Sequence, residues 1–479
     1  MTETFPMTRE GLMSFYNANQ QPGPFEIAQS QLLSQKELPF SELLPEQIIQ
    51  EAFGKADANE IDGDEDDDEI IFTPAITLWG FLSQMLFKQE QRSCVAAVAR
   101  IAVLLVALGR EPCAADTAAY CRARLKLKET VIDQLVRQVA TNAEAALPAA
   151  WLWKNRHVKL VDGTTMSMPD TSENQEIYPQ QNAQQPGLGF PIVRVVMLLS
   201  LATAMVDGLA FGPYAGKQTG ETALFRSLFS QLDEGDILLA DRYYCSYFMI
   251  ALLLQHHVDF VVRLHQLRPG SKARDAMQTW KRPQKPKWMD QETYNAMPKS
   301  IRIRLLNVRV TQPGYRGKNL CIATTLSDKR EYSCDEICDL YHQRWQIELD
   351  IRSIKCAMGL DVLRCKTPEM VRKEVLVGVL MYNLIRQTIL QAAQEDDVVP
   401  RHLSFTGALQ QTATFWLVAF CVDEKKRQSM IAVLLHSVSQ HRVGNRPGRV
   451  EPRARKRRPK NLKLLTVPRD QARDDLLQD

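Results

Sequence analysis

The chain has 479 residues, of which 45% are hydrophobic and 24% are charged, and these values exclude a disordered or low-complexity protein. Its formal net charge of +3 is too small to indicate a partner by itself, and its length favours two to four domains. The ten cysteines form no metal-binding pattern, which is typical of free thiols in a reducing cytoplasm. The N-terminus lacks the pattern of a signal peptide, and the apolar segment Val95–Leu108 is short enough to be a core helix, so we expect no membrane partner.

The distribution of charge is more informative than its sum. Glu60–Glu69 holds eight acidic residues in ten, and Arg442–Lys463 holds ten basic residues against one acidic residue. The acidic run lacks the alternating ligands of a calcium loop and is interpreted as a solvated loop. The basic tail favours a nucleic-acid partner as a contact arm on phosphates, with a purely solubilising tail as the alternative.

The region up to about residue 145 is predicted to be helical. Helices broken by prolines are expected within Gly11–Phe53, and apolar residues recur at helical spacing from Pro74 to Ala146. A basic cluster lies between two of these helices and is either a DNA-backbone contact or an ordinary exposed face. Its members are Arg122, Arg124, Lys126 and Lys128.

The segment from about 151 to 266 has the pattern of a mixed α/β sheet. Lys159–Thr165 is predicted to begin as a strand and to end in a polar turn, and an alternating hairpin follows. Two further strands, Asp236–Ala240 and Asp259–Leu264, are separated by a helix. Asp162 and Asp241 come where two apolar strands end. A single such Asp is usually a turn or cap residue, but two of them with a later Glu form a more specific constellation.

An insertion of about 80 residues follows the last of these strands. Ile301–Thr311 and Leu320–Leu326 alternate as strands, with a turn at Pro313–Gly317 between them. Trp280 and Trp288 lie among basic residues, where they could stack on bases, although packing is the expected fate of each. Beyond residue 355, apolar periodicity predicts helices at Glu374–Ala393, Phe415–Val422 and Met430–Val438.

Four polar residues recur at helical spacing between Tyr341 and Lys355. On one helix, Tyr341, Arg344, Glu348 and Lys355 fall within an arc of roughly 60°. The face would present a phenol, a guanidinium, a carboxylate and an ammonium group. A solvated face with ordinary ion pairs is the simple interpretation, but the two upstream Asp residues could meet this face and form a site with it.

Three carboxylates around one point can hold two divalent cations. Mg²⁺ takes few protein carboxylates and keeps positions for water and phosphate oxygens. Two such ions polarise a phosphodiester and stabilise the attacking and leaving oxygens. The eight histidines show no metal or catalytic-triad spacing, so the sequence favours this chemistry over a histidine base.

Several motifs together resemble the IS-four family of bacterial insertion-sequence transposases. The most specific is Tyr-x2-Arg-x3-Glu-x6-Lys, and the resemblance covers nearly the whole chain. The motifs are Asp162-Gly-Thr-Thr, the segment Met168–Gln175, Asp241-Arg-Tyr-Tyr, and Tyr341 with Arg344, Glu348 and Lys355.

The resemblance implies an α/β catalytic domain of the ribonuclease-H-like type with a D-D-E triad of Asp162, Asp241 and Glu348. These residues would hold two Mg²⁺ ions, for which Mn²⁺ can substitute. Tyr341, Arg344 and Lys355 would contact double-stranded DNA near the transposon end. A homodimer would pair two terminal inverted repeats in the bacterial cytoplasm and move the element to target DNA by cut-and-paste transposition.

We therefore predict three regions: an N-terminal helical region at 1–145, a catalytic domain at 146–440 with a β insertion at about 267–330, and a basic tail at 441–479. Two other functions are compatible with these residues. One is an inactive DNA-binding relative, which the presence of all three carboxylates argues against. The other is a metal-dependent nuclease that cuts DNA without pairing ends.

Overall fold

The computed structural model describes residues 71–107, 109–216, 219–309, 319–419, 422–444 and 464–478. Several predictions therefore lie outside the described residues. These are the helices within Gly11–Phe53, the acidic run Glu60–Glu69, the turn at Pro313–Gly317 and the part of the basic tail at 445–463.

Eight strands form one mixed sheet in the order β3-β2-β1-β4-β5-β8-β7-β6. The predicted hairpin is confirmed, since β2 pairs with both β1 and β3 in antiparallel register, while β1, β4 and β5 run parallel. The strands are β1 Val158–Ser167, β2 Ile192–Ser200, β3 Val206–Pro213, β4 Ile237–Ala240, β5 Asp259–Arg263, β6 Asp275–Lys281, β7 Ser300–Arg309 and β8 Asn319–Thr324.

The inserted segment extends this sheet. Strand β8 pairs with β5, β7 pairs with β8, and β6 pairs with β7 at the sheet edge, all in antiparallel register. Strands β7 and β8 were predicted from their alternation, whereas β6 was not. Arg304 of β7 is buried and forms a bidentate ion pair with Asp275 of β6 at 3.1 and 2.9 Å, so the added strands are fixed to one another by charge as well as by backbone hydrogen bonds.

Helices cover both faces of the sheet and build the two hydrophobic clusters that enclose it. Their N-termini are set by capping residues, as in α1, where Thr73 caps the helix and Pro74 occupies the first turn. The helices are α1 Pro74–Leu86, α2 Cys94–Ala107, α3 Ala118–Lys126, α4 Glu129–Ala145, α5 Ser172–Ile177, α6 Glu221–Arg226, α7 Tyr247–Gln255, α8 Gln291–Ala296, α9 Cys334–His342, α10 Trp345–Arg352, α11 Pro368–Glu395, α12 Phe405–Val418, α13 Glu424–Gln440 and α14 Arg469–Gln478.

Helix α11 is the centre of the larger cluster. It packs against α1, α4, α12 and α13, so helices from both ends of the chain share one core with the sheet. Among the described residues it is the one helix long and apolar enough to cross a membrane, and 89% of its most apolar window is buried inside the fold. Fully buried Asn383 of α11 exchanges two hydrogen bonds with the backbone of Val206 in β3, which fixes the helix to the sheet.

Candidate active site

The register between β1 and β4 brings the two predicted aspartates together. Leu160 of β1 lies opposite Leu239 of β4 in parallel pairing, and Asp162 and Asp241 each come two residues after this pair. The charge of Asp241 acts on the Asp162 carboxyl group, so the two aspartates are neighbours. Asp241 directly follows β4 in an extended conformation. Because side chains alternate along a strand, both carboxylates point to the face of the sheet that Leu160 and Leu239 occupy. Helix α10 packs against β1 on that face.

The Asp162 carboxylate is half-buried, and both its burial and the neighbouring groups change its pKa. Its pKa is raised to about 6, mainly by burial and to a smaller extent by the negative charge of Asp241, while the Gly163 amide and the Arg344 guanidinium act in the opposite direction. The Gly163 N–H donates a hydrogen bond to Oδ1 of Asp162 at 2.8 Å. Asp241 accepts a hydrogen bond from the Tyr243 N–H at 2.7 Å, so backbone amides orient both carboxylates.

The stretch predicted as one helix from Tyr341 to Lys355 is interrupted, so that prediction was wrong in its geometry. Helix α9 ends at His342, and α10 begins at Trp345. Between them the amides of Gln343 and Arg344 bond three residues back, which tightens the turn and rotates the chain further per residue than an α-helix does. A π-helical turn, Ser353–Ala357, follows α10 and contains Lys355.

Arg344 and Glu348 nevertheless meet across this turn. The Arg344 guanidinium donates a hydrogen bond to the Glu348 carboxylate at 2.7 Å. Burial acts to lower the pKa of Arg344, but the hydrogen bond that Arg344 donates to Glu348 and the nearby negative charges outweigh it, so the pKa is raised above its ordinary value. Tyr341 is buried, and burial raises the pKa of its phenol to about 12. Arg344 is therefore a fixed positive charge between Tyr341, Glu348 and Asp162.

Lys355 approaches the same strand as Asp162. Its ammonium group donates hydrogen bonds to the Thr164 hydroxyl at 3.2 Å and to the Thr165 carbonyl at 2.7 Å. These contacts hold the π-helical turn to β1 two and three residues beyond Asp162. The structure thus gathers the six predicted site residues around the middle of β1, on α9, α10, the following turn, β1 and the end of β4. Strand β1 continues to Ser167 because it stays paired with β2, so the prediction that Asp162 ends its strand was wrong.

The donor set suits a hard divalent cation, because every acidic group here offers carboxylate oxygen. The raised pKa of Asp162 shows that its negative charge lacks full compensation, and a cation would supply it. Over the described ranges, no three acidic, cysteine or histidine side chains are arranged as a ready metal cluster. The ion pair with Arg344 holds Glu348 in its observed orientation.

Sequence reasoning missed one carboxylate beside this site. Glu221, the first residue of α6, lines an open cavity of about 530 Å³ together with Asp241 and Arg194. The cavity lies next to the end of β4. Glu221 carries no motif spacing that relates it to Asp162 or Asp241, and the only local signal is the start of a short helix after Gly220.

Two other predicted contact regions can be compared with the structure, which differs from the prediction at one residue, Arg124. Arg124 of the basic cluster is buried, with its guanidinium 4.1 Å from the centre of the Phe81 ring, so it is a core residue and not part of an exposed basic face. Trp280 is buried in the insertion, as expected for a packing residue. Trp288 remains more exposed, and Arg226 stacks on its ring at 3.9 Å.

Comparison with known proteins identifies the domain that contains this site. Residues 153–384, which span the sheet, α9, α10 and the start of α11, match the transposase DDE domain. The chain is 27% identical over 342 residues to the transposase InsG for insertion sequence element IS4 from Escherichia coli K12, an alignment that covers 69% of this chain and 73% of the relative. It is also 35% identical over 75 residues to the transposase for insertion sequence element IS421 from Escherichia coli, covering 16% of this chain and 18% of that protein.

Among solved structures, a synaptic complex of piggyBac transposase with hairpin DNA aligns with 82% of this chain and 84% of its own, at 10% identity and a TM-score of 0.42. That likeness is too low to support an assignment. The family match and the long alignment confirm the resemblance that the sequence motifs indicated. A transposase DDE domain and a relative aligned over most of both chains lead to one conclusion: the chain carries a transposase DDE domain and is similar to insertion-sequence transposases of the IS4 type.

Proposed function

We propose that this transposase cuts and joins DNA at the terminal inverted repeats of its element by a cut-and-paste route, with Asp162, Asp241 and Glu348 as a D-D-E triad. The observation that carries this proposal is the parallel pairing of β1 and β4, since Asp162 and Asp241 each come two residues after a paired position and helix α10, which contains Glu348, packs against β1. The strand order β3-β2-β1-β4-β5, with β2 and β3 antiparallel, supports a ribonuclease-H-like core.

Asp162, Asp241 and Glu348 would hold Mg²⁺ ions, with Mn²⁺ able to replace them. When bound, such ions polarise the scissile phosphodiester and lower the pKa of the attacking water. The Gly163 and Tyr243 amides keep the two aspartates oriented. Glu348 must exchange its bond to Arg344 for a cation. Arg344 is then free to grip a phosphate oxygen in the fork geometry that guanidinium groups favour.

Lys355 and Tyr341 support the DNA from either side of this centre. Lys355 is a compact positive charge held at β1, where a phosphate next to the scissile bond would lie close to its ammonium group. Tyr341 has a pKa far above neutral pH, so its hydroxyl stays protonated and can donate to phosphate. Water attacks the phosphodiester first, and the freed 3′-hydroxyl then attacks the second strand or target DNA.

Pairing two transposon ends requires two active sites, which supports a homodimer in the DNA complex. Each of the three regions proposed from the sequence has its own role. The helical region at 1–145 contacts the DNA end, the domain at 146–440 catalyses cleavage and joining of DNA, and the tail at 441–479 binds phosphates. The charge of the tail supports the last assignment, with ten basic residues in Arg442–Lys463.

Ending the chain at Asn445 should weaken binding to all DNA sequences and flatten the dependence of affinity on salt. Each lost phosphate contact reduces the slope of log affinity against log salt by about 0.9 for duplex DNA. Fluorescence anisotropy with repeat and random duplexes between roughly 50 and 200 mM salt measures both effects. An unchanged slope would remove the tail from the DNA interface.

The function itself is tested with a DNA fragment that bears the element's inverted repeats, incubated with full-length protein and either Mg²⁺ or EDTA. We expect Mg²⁺-dependent cuts confined to the repeat ends on a denaturing gel, and none in Asp241→Asn. Specific binding without cuts in Mg²⁺ or Mn²⁺ would favour an inactive relative. Scattered cuts independent of the repeats would favour a nuclease.

A further inference from the structure

Glu221 approaches the strand that carries Asp162 from the opposite face of the sheet. Side chains alternate along β1, so Gly163 points away from the face of Asp162. A Cβ atom added to Gly163 would lie only 2.4 Å from Cδ of Glu221. The Glu221 carboxyl group therefore occupies the space that any side chain at position 163 would need. The same glycine donates its N–H to Asp162, so Glu221 packs directly behind the backbone that orients this aspartate.

Glu221 also shares a cavity with Asp241. The cavity of about 530 Å³ is open to solvent and passes the end of β4, with Glu221 and Asp241 both in its wall. Arg194 holds the segment before Glu221 in place by donating a hydrogen bond to the Thr219 carbonyl at 2.7 Å. The pKa of Glu221 is raised by burial and by the negative charge of Asp241, and lowered by Arg194. Its charge thus acts on the same volume as that of Asp241.

A buried hydroxyl group lacks a partner beside these carboxylates. Tyr244 is 1% exposed, and its hydroxyl makes no hydrogen bond among the described residues. Burial raises the pKa of Tyr244 well above its ordinary value, and the negative charges of Glu221, Asp162 and Asp241 act in the same direction. A buried donor left unpaired is costly, so a bound group that accepts from this hydroxyl would stabilise it.

From these contacts we propose that Glu221 is a fourth acidic residue of the cation-binding site. It acts across the Gly163 backbone and through the cavity shared with Asp241. It is a positioning residue, since it strengthens the hold of Asp162 and Asp241 on a divalent cation by its charge and by fixing Gly163. The inference rests on the proposed function, in which those two aspartates bind the cation.

The test measures Mn²⁺ binding to the full-length protein without DNA, by the electron paramagnetic resonance signal of free Mn²⁺. Glu221→Gln keeps the shape of the side chain and removes its charge. We expect about tenfold weaker binding of the tightest ion, in the range typical for residues that support metal ligands. The matched control is Glu234→Gln, an exposed carboxylate at the far end of β4, which should bind Mn²⁺ like the unaltered protein.

Two further measurements separate charge from packing. The defect of Glu221→Gln should shrink at about 1 M salt, where screening acts over about 3 Å, and the thermal unfolding midpoint should not change. Gly163→Ala should weaken Mn²⁺ binding as well, because the added Cβ displaces Glu221. Unchanged affinity in Glu221→Gln, with weakened binding in Asp241→Asn, would overturn the role of Glu221 alone. Unchanged affinity in both variants would overturn the cation site of the proposed function too.

Discussion

Replacement of Glu348 by Gln should reduce DNA cleavage to background while leaving binding to the inverted repeats largely intact. An amide cannot provide the charge that a divalent cation requires, and removing one group that stabilises charge at a reacting centre costs about a hundredfold to a thousandfold in rate. Glu348 is partly exposed and its ion pair with Arg344 is local, so the fold should tolerate the change. A denaturing gel measures cleavage, and anisotropy with a labelled repeat measures binding.

A matched control for this experiment is Glu331→Gln, which alters an exposed carboxylate upstream of α9. It should cut at the rate of the unaltered protein. Cleavage by Glu348→Gln at that same rate would remove Glu348 from the triad. Loss of both cleavage and binding would instead indicate that the freed Arg344 disturbs the DNA-binding surface.

Replacement of Asp350 by Ala should destabilise the protein by about 3–5 kcal/mol, the usual effect of breaking a buried ion pair on one side. Asp350 is 1% exposed and accepts hydrogen bonds from Arg386 at 2.7 Å and Arg401 at 3.0 Å. Without Asp350, Arg386, itself buried in α11, would keep its charge without this partner. Urea unfolding followed by circular dichroism gives the free energy directly.

The exposed Asp335→Ala is the comparison, because its pairing with Arg274 lies at the surface, where an ion pair contributes little to stability. Equal stability of the two variants would contradict the interpretation of Asp350 as a buried anchor. Since Asp350 lies two residues after Glu348, partial unfolding of α10 should also lower cleavage. That loss should recover at lower temperature, unlike the loss in Glu348→Gln.

The sequence predicted the parts of the fold in which one pattern dominates. The β2–β3 hairpin follows from alternation, and α11 from a long apolar helical period. The edge strand β6 was missed because its sequence, DAMQTWK, is mostly polar and becomes a strand only through pairing with β7. The break between α9 and α10 was missed because it depends on two backbone hydrogen bonds rather than on a Gly or Pro.

The site residues also fall into two groups, those that the sequence reveals and those that only the folded structure reveals. The aspartates and the Tyr-Arg-Glu-Lys spacing are visible in the sequence, because each aspartate comes after a short apolar run and the four later residues form a motif. Only Asp241 follows its strand in the structure, since β1 continues beyond Asp162. Glu221 is not visible, since its relation to Asp162 arises from two strands and a helix folding over Gly163. The burial of Arg124 could not be predicted either, because the sequence shows a basic cluster but does not show which face of α3 contacts Phe81.

The width of the inserted strands fixes the distance from Asp241 to the sheet edge that a bound duplex could reach. Strand β6 is separated from β4 by β5, β8 and β7, and continuous backbone hydrogen bonds join them. Four inter-strand spacings of about 4.8 Å put the outer edge of the insertion about 19 Å from the strand that leads into Asp241. One helical turn of duplex DNA spans about 34 Å. A duplex laid across these strands with one phosphate at Asp241 would reach β6 slightly more than half a turn away, on its opposite side.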